Sequence, residues 1–398
     1  MPLRPALRAA AAVGLGLATV LQLSATAPSY ADTTVTLPVG ATSVTVHGEG
    51  NGHGHGMSQY GANAAAKRGL STNQILAHYY PGTAAGRAGG QVRVLLSTRP
   101  TLVVRTGPGL VAGVVGSAKR WRLTHLRKRA ARKARRWSIA PLSPTVSRLS
   151  YLKRGHWRRY ADVAGQLQFS AGGRPIRLVA GADSGLFRGT LRSAATSATT
   201  ADRDIVNVVP LESYVKGVVP NEMPALWAPA AVRAQAIAAR TYAVHERATV
   251  QRGWFDVYDT TASQVYRGAG SEQRASSRAV DATRGQIRTY AGQPAFTQFS
   301  ASNGGWMLAN STAPYLVSGP DAYDPVNAWT QVIPMSAFQA RFPSLFPLRS
   351  IAVTTYPGAG GWVQTVTLTG TNGKVGAISG EDFRAWAGLR SGSFRFTR

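Results

Sequence analysis

The chain holds 17 acidic residues against 45 Lys and Arg, so few carboxylates are available for acid–base chemistry. Glu222 is the best placed of them. It stands in Asn221-Glu222-Met223-Pro224, closely flanked by Pro220 and Pro224, a pattern that predicts a stiff loop just before a long helix. Burial beside Met223 and Trp227 would raise its pKa and keep it protonated, the state a general acid needs. The plainer alternative is a glutamate at a helix start, interacting with the helix dipole. A second polar group lies in the glycine-dense segment from Gly48 to Gly61, which carries His53, His55, Ser58 and Gln59. Glycine at alternate positions permits positive φ and close approach of the backbone to a ligand. The two histidines would need further ligands to hold a metal, and the chain has no cysteine to supply them. No metal and no cofactor is expected.

These groups need elements to position them. Pro229 suits the first position of a helix running from Ala230 to about Val250, with Val232, Ala236, Ala239 and Ala243 as its buried stripe. Tyr242 on this helix suits either core or site wall. Shorter helices are expected from Ala62 to Arg68, after Ser71, and from Gly380 to Ala387 between a Ser379 cap and Gly388. Strand patterns recur at Thr33 to Val46, Val92 to Leu96, Gln166 to Ser170, Ile205 to Val209, Ile351 to Tyr356, Trp362 to Thr369 and Phe394 to Thr397. The expected fold is α+β, mixed sheets with a few helices in one compact domain.

The net charge of +28 favours polyanionic partners. Much of it sits in Lys119 to Arg136, which Ala130, Ala131 and Ala134 make helix-compatible, and in Lys153 to Arg159. Residues 118–160 therefore look like a basic insertion, either simply solvated or gripping a phosphate-rich polymer with Trp and Tyr rings to hand. The composition suits nucleic acid equally well, but the N-terminus argues against it. Arg4 and Arg8 precede an apolar run from Ala9 to Leu23 and a small-residue site ending at Ala31. That reads as a secretory signal over residues 1–31, cleaved near Ala31, leaving a mature protein outside the cytoplasmic membrane. With no cysteine, disulfides and thiol nucleophiles are excluded.

Several blocks together resemble the stage II sporulation protein D family, also called SpoIID/LytB or amidase enhancer. They are Leu211-Glu212-Ser213-Tyr214 through Pro224; Ala234-Gln235-Ala236 through Arg240-Thr241-Tyr242-Ala243; Asp259 to Gly268 with Gln264-Val265-Tyr266; Ser300 to Gly305; and Tyr315 to Asp324. Gly52-His53-Gly54-His55-Gly56-Met57-Ser58-Gln59-Tyr60-Gly61, continuing to His78-Tyr79-Tyr80-Pro81-Gly82, resembles another family block. In the family that block follows the segment seen here at Phe383 to Phe396. Here it opens the chain instead, over residues 32–90, while residues 201–398 form the main segment of a domain spanning 32–398. The order looks circularly permuted, which implies that the Phe394 strand and the Val44 region are neighbours.

The resemblance implies a peptidoglycan lytic transglycosylase that cleaves between N-acetylmuramic acid and N-acetylglucosamine and leaves 1,6-anhydro ends. Glu222 would be the acid and then the base. Arg240 would be an electrostatic partner for substrate or intermediate, and Gln235 a ligand of sugar hydroxyls or acetamido groups. These two lie about 140° apart around a helix and cannot both centre on one face; Arg240 is the favoured one. Tyr242, His53, His55, Ser58, Gln59, Gln264, Tyr266 and Asn303 complete the expected glycan-binding set. The expected partners are glycan strands, anionic wall polymers through Lys119–Arg136, and a cell-wall amidase. The amidase-enhancer name implies an alternative, a glycan-binding module that stimulates such an amidase without cutting glycan itself.

Overall fold

The computed structural model describes residues 32–127 and 129–397, so the expected signal segment lies outside the described residues. The fold is α+β, as the alternating patterns predict. A seven-stranded sheet carries, side by side, Val257–Tyr258, Gln91–Ser97, Arg203–Pro210, Thr190–Ala195, Leu167–Ser170, Val111–Val114 and Arg120–Arg122. The Arg203–Pro210 strand is buried along nearly its whole length, as a central strand covered on both faces must be. It delivers the chain directly into the helix Leu211–Glu222, and the long helix Pro229–Thr249 follows. Pro229 occupies the start of that helix as expected, where its missing N–H costs nothing. The glycine-dense segment leads into the helix Gln59–Lys67, capped by the Ser58 side chain on the Gly61 N–H, and then into Thr72–Tyr79, which opens with a full capping box between Ser71 and Gln74.

The apolar side chains gather into two main cores. The larger joins both helix pairs to the seven-stranded sheet and to a six-stranded one. The smaller is built by the two ends of the described chain, with Val44, Val46, Phe338, Phe383, Phe394 and Phe396 in close aromatic and aliphatic contact. Here Ser43–Glu49 lies between Trp329–Pro334 and Ser393–Thr397, antiparallel to both, and Gly48 faces Phe394. Thr33–Thr36 pairs with Leu348–Thr355 in an adjoining four-stranded sheet. The expected neighbourhood of the Phe394 strand and the Val44 region is thus present as a strand pairing. No helix among the described residues is long and apolar enough to cross a membrane.

The basic stretch departs from the helix-compatible reading. Among its described residues only Arg129–Arg132 is helical; turns and strands make up the remainder. Arg136–Pro141, Val146–Lys153 and His156–Ala164 are three of the six strands of the second sheet. Leu123, Leu126, Ala131, Trp137, Ile139 and Leu149 are buried in the larger core, while Arg127, Arg129, Arg132, Lys133, Arg135 and Arg136 are exposed. Alternation between core and charge, which the run of cations hides from a count of basic residues, is what a strand with one wet face requires. The segment is part of the body of the fold with one strongly cationic face.

Candidate active site

Glu222 is the last residue of the helix Leu211–Glu222, not part of a loop. Pro220 is inside that helix, in the final turn, where it removes one donor. Asn221 in the same turn donates its side-chain amide to the Gly217 carbonyl at 2.6 Å. The helix end aims Glu222 into a cleft of about 560 Å³. Thr261, Ala262 and Ser263 form one wall, Gln298 to Ala301 another, and Asn51, Gly52, His53 and Gln59 a third, with Tyr242 and Arg384 also reaching in. Glu222 is the only carboxylate lining this cleft among the described residues. Its Oε1 accepts the Val265 N–H at 2.7 Å. Burial pushes the carboxyl above the usual glutamate range; the Val265 N–H and a hydrogen bond from Gln59 oppose that push without cancelling it. A carboxyl so placed keeps its proton to higher pH than a solvated one.

The glycine block runs along the cleft. Gly54 has φ +73°, and a Cβ there would fall 2.1 Å from the Trp362 ring. At Gly56, with φ +67°, a Cβ would meet the Gln298 carbonyl at 2.2 Å. The glycines thus serve close approach to the protein's own side chains and backbone, where ligand contact was expected. The arrangement fixes His53 and His55 as a stacked pair with ring centroids 5.4 Å apart. His53 Nδ1 accepts the His55 backbone N–H at 3.1 Å, and His55 Nδ1 donates to the Leu308 carbonyl at 3.0 Å. Burial, reinforced by the neighbouring His55, lowers the His53 pKa to about 4, and burial lowers that of His55 as well. Both rings are neutral near neutral pH.

Of the expected site residues, Glu222, Gln59, Tyr242 and His53 come together at the cleft, and His55 lines an adjoining hollow. Gln235 is fully buried behind Gln59, whose Nε2 stands 3.5 Å from its Oε1. It therefore supports the wall without lining it. Arg240 corrects the sequence expectation. It is 0% exposed and grips Glu212 in a two-pronged pair, Nε to Oε1 at 3.0 Å and Nη2 to Oε2 at 2.7 Å. Its remaining donors go to the carbonyls of Ala236, Val280 and Gln286. With every prong engaged in tying elements of the fold together, Arg240 is a structural clamp and does not line the cleft.

Tyr266 and Gln264 are also interior. Tyr266 donates to Asn207 at 2.8 Å, and Tyr214 donates to the Gln264 Oε1 at 3.0 Å. It is the preceding loop, Thr261 to Ser263, that faces the cleft. Ser58 and Asn303 belong to a buried polar network: Ser58 donates to Asp324 at 2.5 Å and Asn303 to Asp321 at 2.8 Å. Trp227, expected beside the acid, packs against Tyr60 and does not line the cleft. Sequence reasoning missed Arg384 and Gln298, which come from segments remote in the chain and carry no local signal. No group of three or more His, Asp or Glu suited to a metal ion occurs among the described residues.

Residues 199–290 match the family model described as SpoIID, stage II sporulation protein. That span contains Glu222, Val265 and the whole long helix. The chain is 32% identical over 224 residues to Stage II sporulation protein D of Bacillus subtilis, a match covering 50% of this chain and 63% of the relative. Residues 199–290 of this chain are thus similar to the SpoIID family. The chain is also 41% identical over 121 residues to the Amidase enhancer of Bacillus subtilis, which covers 29% of this chain and 16% of that much longer protein. The chain therefore spans less than two thirds of the curated relatives it matches. The glycine block, outside the span matched by the family model, supplies one of the cleft's walls.

Proposed function

We propose that this chain is an exported peptidoglycan lytic transglycosylase in which Glu222 acts as general acid and then general base. The observation that carries the reading is a single buried carboxyl, with a raised pKa, facing an open cleft that holds no second carboxylate. Most glycosidases need a pair of carboxyl groups across the scissile bond. A lytic transglycosylase does not, because the substrate provides the nucleophile. Glu222 gives its proton to the oxygen leaving from C1 of N-acetylmuramic acid. The 6-hydroxyl of the same sugar attacks C1, and the Glu222 carboxylate takes up the hydroxyl proton. No water is consumed, and the cut end is a 1,6-anhydro sugar. The Val265 N–H orients the carboxylate and supports its ionised form midway through the reaction.

The family similarity supports a role at the cell wall, and the leader-like residues 1–31 support action outside the cytoplasmic membrane. The outward cationic face on the Arg136–Ala164 strands suits anionic wall polymers. A second reading has one specific support, the 41% identity to a protein named Amidase enhancer: the chain would bind glycan and stimulate a cell-wall amidase without cutting glycan itself.

The test is mass spectrometry of purified glycan strands after incubation with the protein. Anhydro ends, lighter by one water than hydrolysed ends, are expected. Glu222→Gln should lower the rate by about 10²–10⁴-fold while glycan binding persists. Reducing ends would make the protein a hydrolase; Asp259, whose carboxyl burial pushes up to about 6 against the pull of Arg267, would then be the next group to examine. A wild type that cuts nothing, yet accelerates an amidase as well as Glu222→Gln does, would establish the second reading.

A further inference from the structure

A hollow of about 850 Å³ adjoins the Glu222 cleft and is larger than it. The catalytic reading makes no use of it. Three features join the two. His53 lines both. Asn310, on the wall of the larger hollow, donates to Gln298 Oε1 at 2.8 Å, and Gln298 lines the cleft. Glu381 faces the hollow and Arg384 the cleft, joined by a two-pronged ion pair at 2.7 and 2.9 Å.

The lining indicates what fits. Tyr356 is 43% exposed and Val317 41% exposed, so an aromatic ring and an aliphatic side chain are left uncovered at one opening. A ring face suits the C–H face of a hexose, and an aliphatic patch suits the methyl of an acetamido group. Asn310, Ser311 and Ser318 offer amide and hydroxyl groups for sugar hydroxyls. The charge balance separates a sugar from a peptide. The two histidines are neutral, and Glu381 is matched by Arg384. The hollow thus presents no free cation to a carboxylate-bearing peptide stem.

We propose that this hollow is a second saccharide subsite, holding N-acetylhexosamine units of the same strand whose neighbouring bond lies at Glu222. The proposal rests on the reading that the Glu222 cleft takes glycan. It gives the protein a preference for longer strands, because a short oligomer cannot occupy both spaces.

The probe is a pair of N-acetylglucosamine oligomers, a trimer and a hexamer, titrated calorimetrically into the Glu222→Gln protein so that nothing is cut. The hexamer should bind more tightly than the trimer. Adding Tyr356→Ala should weaken hexamer binding about tenfold, the size expected for one lost aromatic face, and remove most of the length advantage. Tyr356→Phe, which keeps the ring, should restore it. Because Tyr356 is exposed, the melting temperature should hold and exclude a folding effect. Hexamer affinity within about twofold of the parent after Tyr356→Ala would overturn the subsite even if the wild type makes anhydro ends. Weakened hexamer binding in a protein whose wild type cuts no glycan would keep the subsite and sink the catalytic reading. Absence of hexamer binding by the parent protein would overturn the subsite, while the catalytic reading stands or falls on the anhydro ends.

Discussion

Replacing Arg240 by Met distinguishes a clamp from a catalytic group. The guanidinium is 0% exposed and the Glu212 side chain 16% exposed, so the pair is nearly dry. Removing one partner of a buried pair typically costs about 3–5 kcal/mol, because the other charge is left uncompensated. After Arg240→Met, Glu212 keeps the Gly285 N–H at 2.9 Å, and its residual exposure lets in some water. The low end, about 3 kcal/mol, is therefore expected. In a chain of this length that is a fall in melting temperature of about 6 °C, taking about 2 °C per kcal/mol. Adding Glu212→Gln removes the stranded charge while leaving an oxygen for the Gly285 N–H, and should recover most of the loss. The assay is thermal unfolding followed by near-ultraviolet circular dichroism, with glycan cleavage measured per folded molecule well below the transition. Cleavage per folded molecule should stay within a few-fold of wild type. An Arg240→Met protein that melts like wild type but has lost cleavage by a hundredfold or more would refute the structural assignment and return Arg240 to the reaction.

Three further outcomes follow from the same geometry. The raised pKa of Glu222 means that the folded state holds its proton more firmly than the unfolded chain does, so this group's contribution to stability declines as pH rises through that range; Glu222→Gln should melt higher than wild type, by a margin that grows from acid to neutral pH, and a constant or reversed margin would contradict the burial. His53 has the opposite slope: its folded pKa is about 4 against 6.5 in the unfolded chain, so stability on the order of 3 kcal/mol should be present above pH 6.5 and lost as pH falls towards 4. His53→Asn should flatten that part of the stability–pH curve, measured by denaturant midpoint. Deleting residues 119–136 should abolish cooperative unfolding, since Leu123, Leu126 and Ala131 leave the core with them, whereas Lys133→Gln with Arg158→Gln, both exposed, should leave melting unchanged and weaken sedimentation with anionic cell walls, an effect that rising salt should erase as the screening length falls to about 10 Å at 0.1 M.

The fold's punctuation was legible wherever local chemistry decides it. Ser71 and Ser379 cap the helices expected of them, Pro229 starts the long helix, and Gly388 ends the last one in the left-handed region. Glu222 was legible as a carboxyl worth singling out but its helical setting was not, because two nearby prolines signal a loop although a helix can carry Pro220 in its final turn. Neither Gln235 nor Arg240 lines the cleft. Helical geometry says correctly that the two diverge, but no local pattern reveals that Glu212, Val280 and Gln286 surround the guanidinium. Tyr266 and Gln264 show the same limit: a motif's letters can be the buried ones, while the unremarkable positions just before them, here Thr261 to Ser263, face the cleft.

The strand pairing at the ends of the described chain bears on how the molecule is made. Thr33 meets Val353 and Val46 meets Phe396, so the smaller core draws on the earliest and the latest parts of the described sequence. Contacts this far apart in sequence carry a large loop-closure cost and form slowly unless the intervening chain has already contracted. The larger core is that intervening chain. Once its sheets and helices have condensed, the two ends emerge near each other, and the Ser43–Glu49 strand, which has waited with open edges, is flanked on both sides. Arg384, which reaches into the cleft, belongs to a helix whose Phe383 is packed in this smaller core, so the cleft is complete only once both cores are in place.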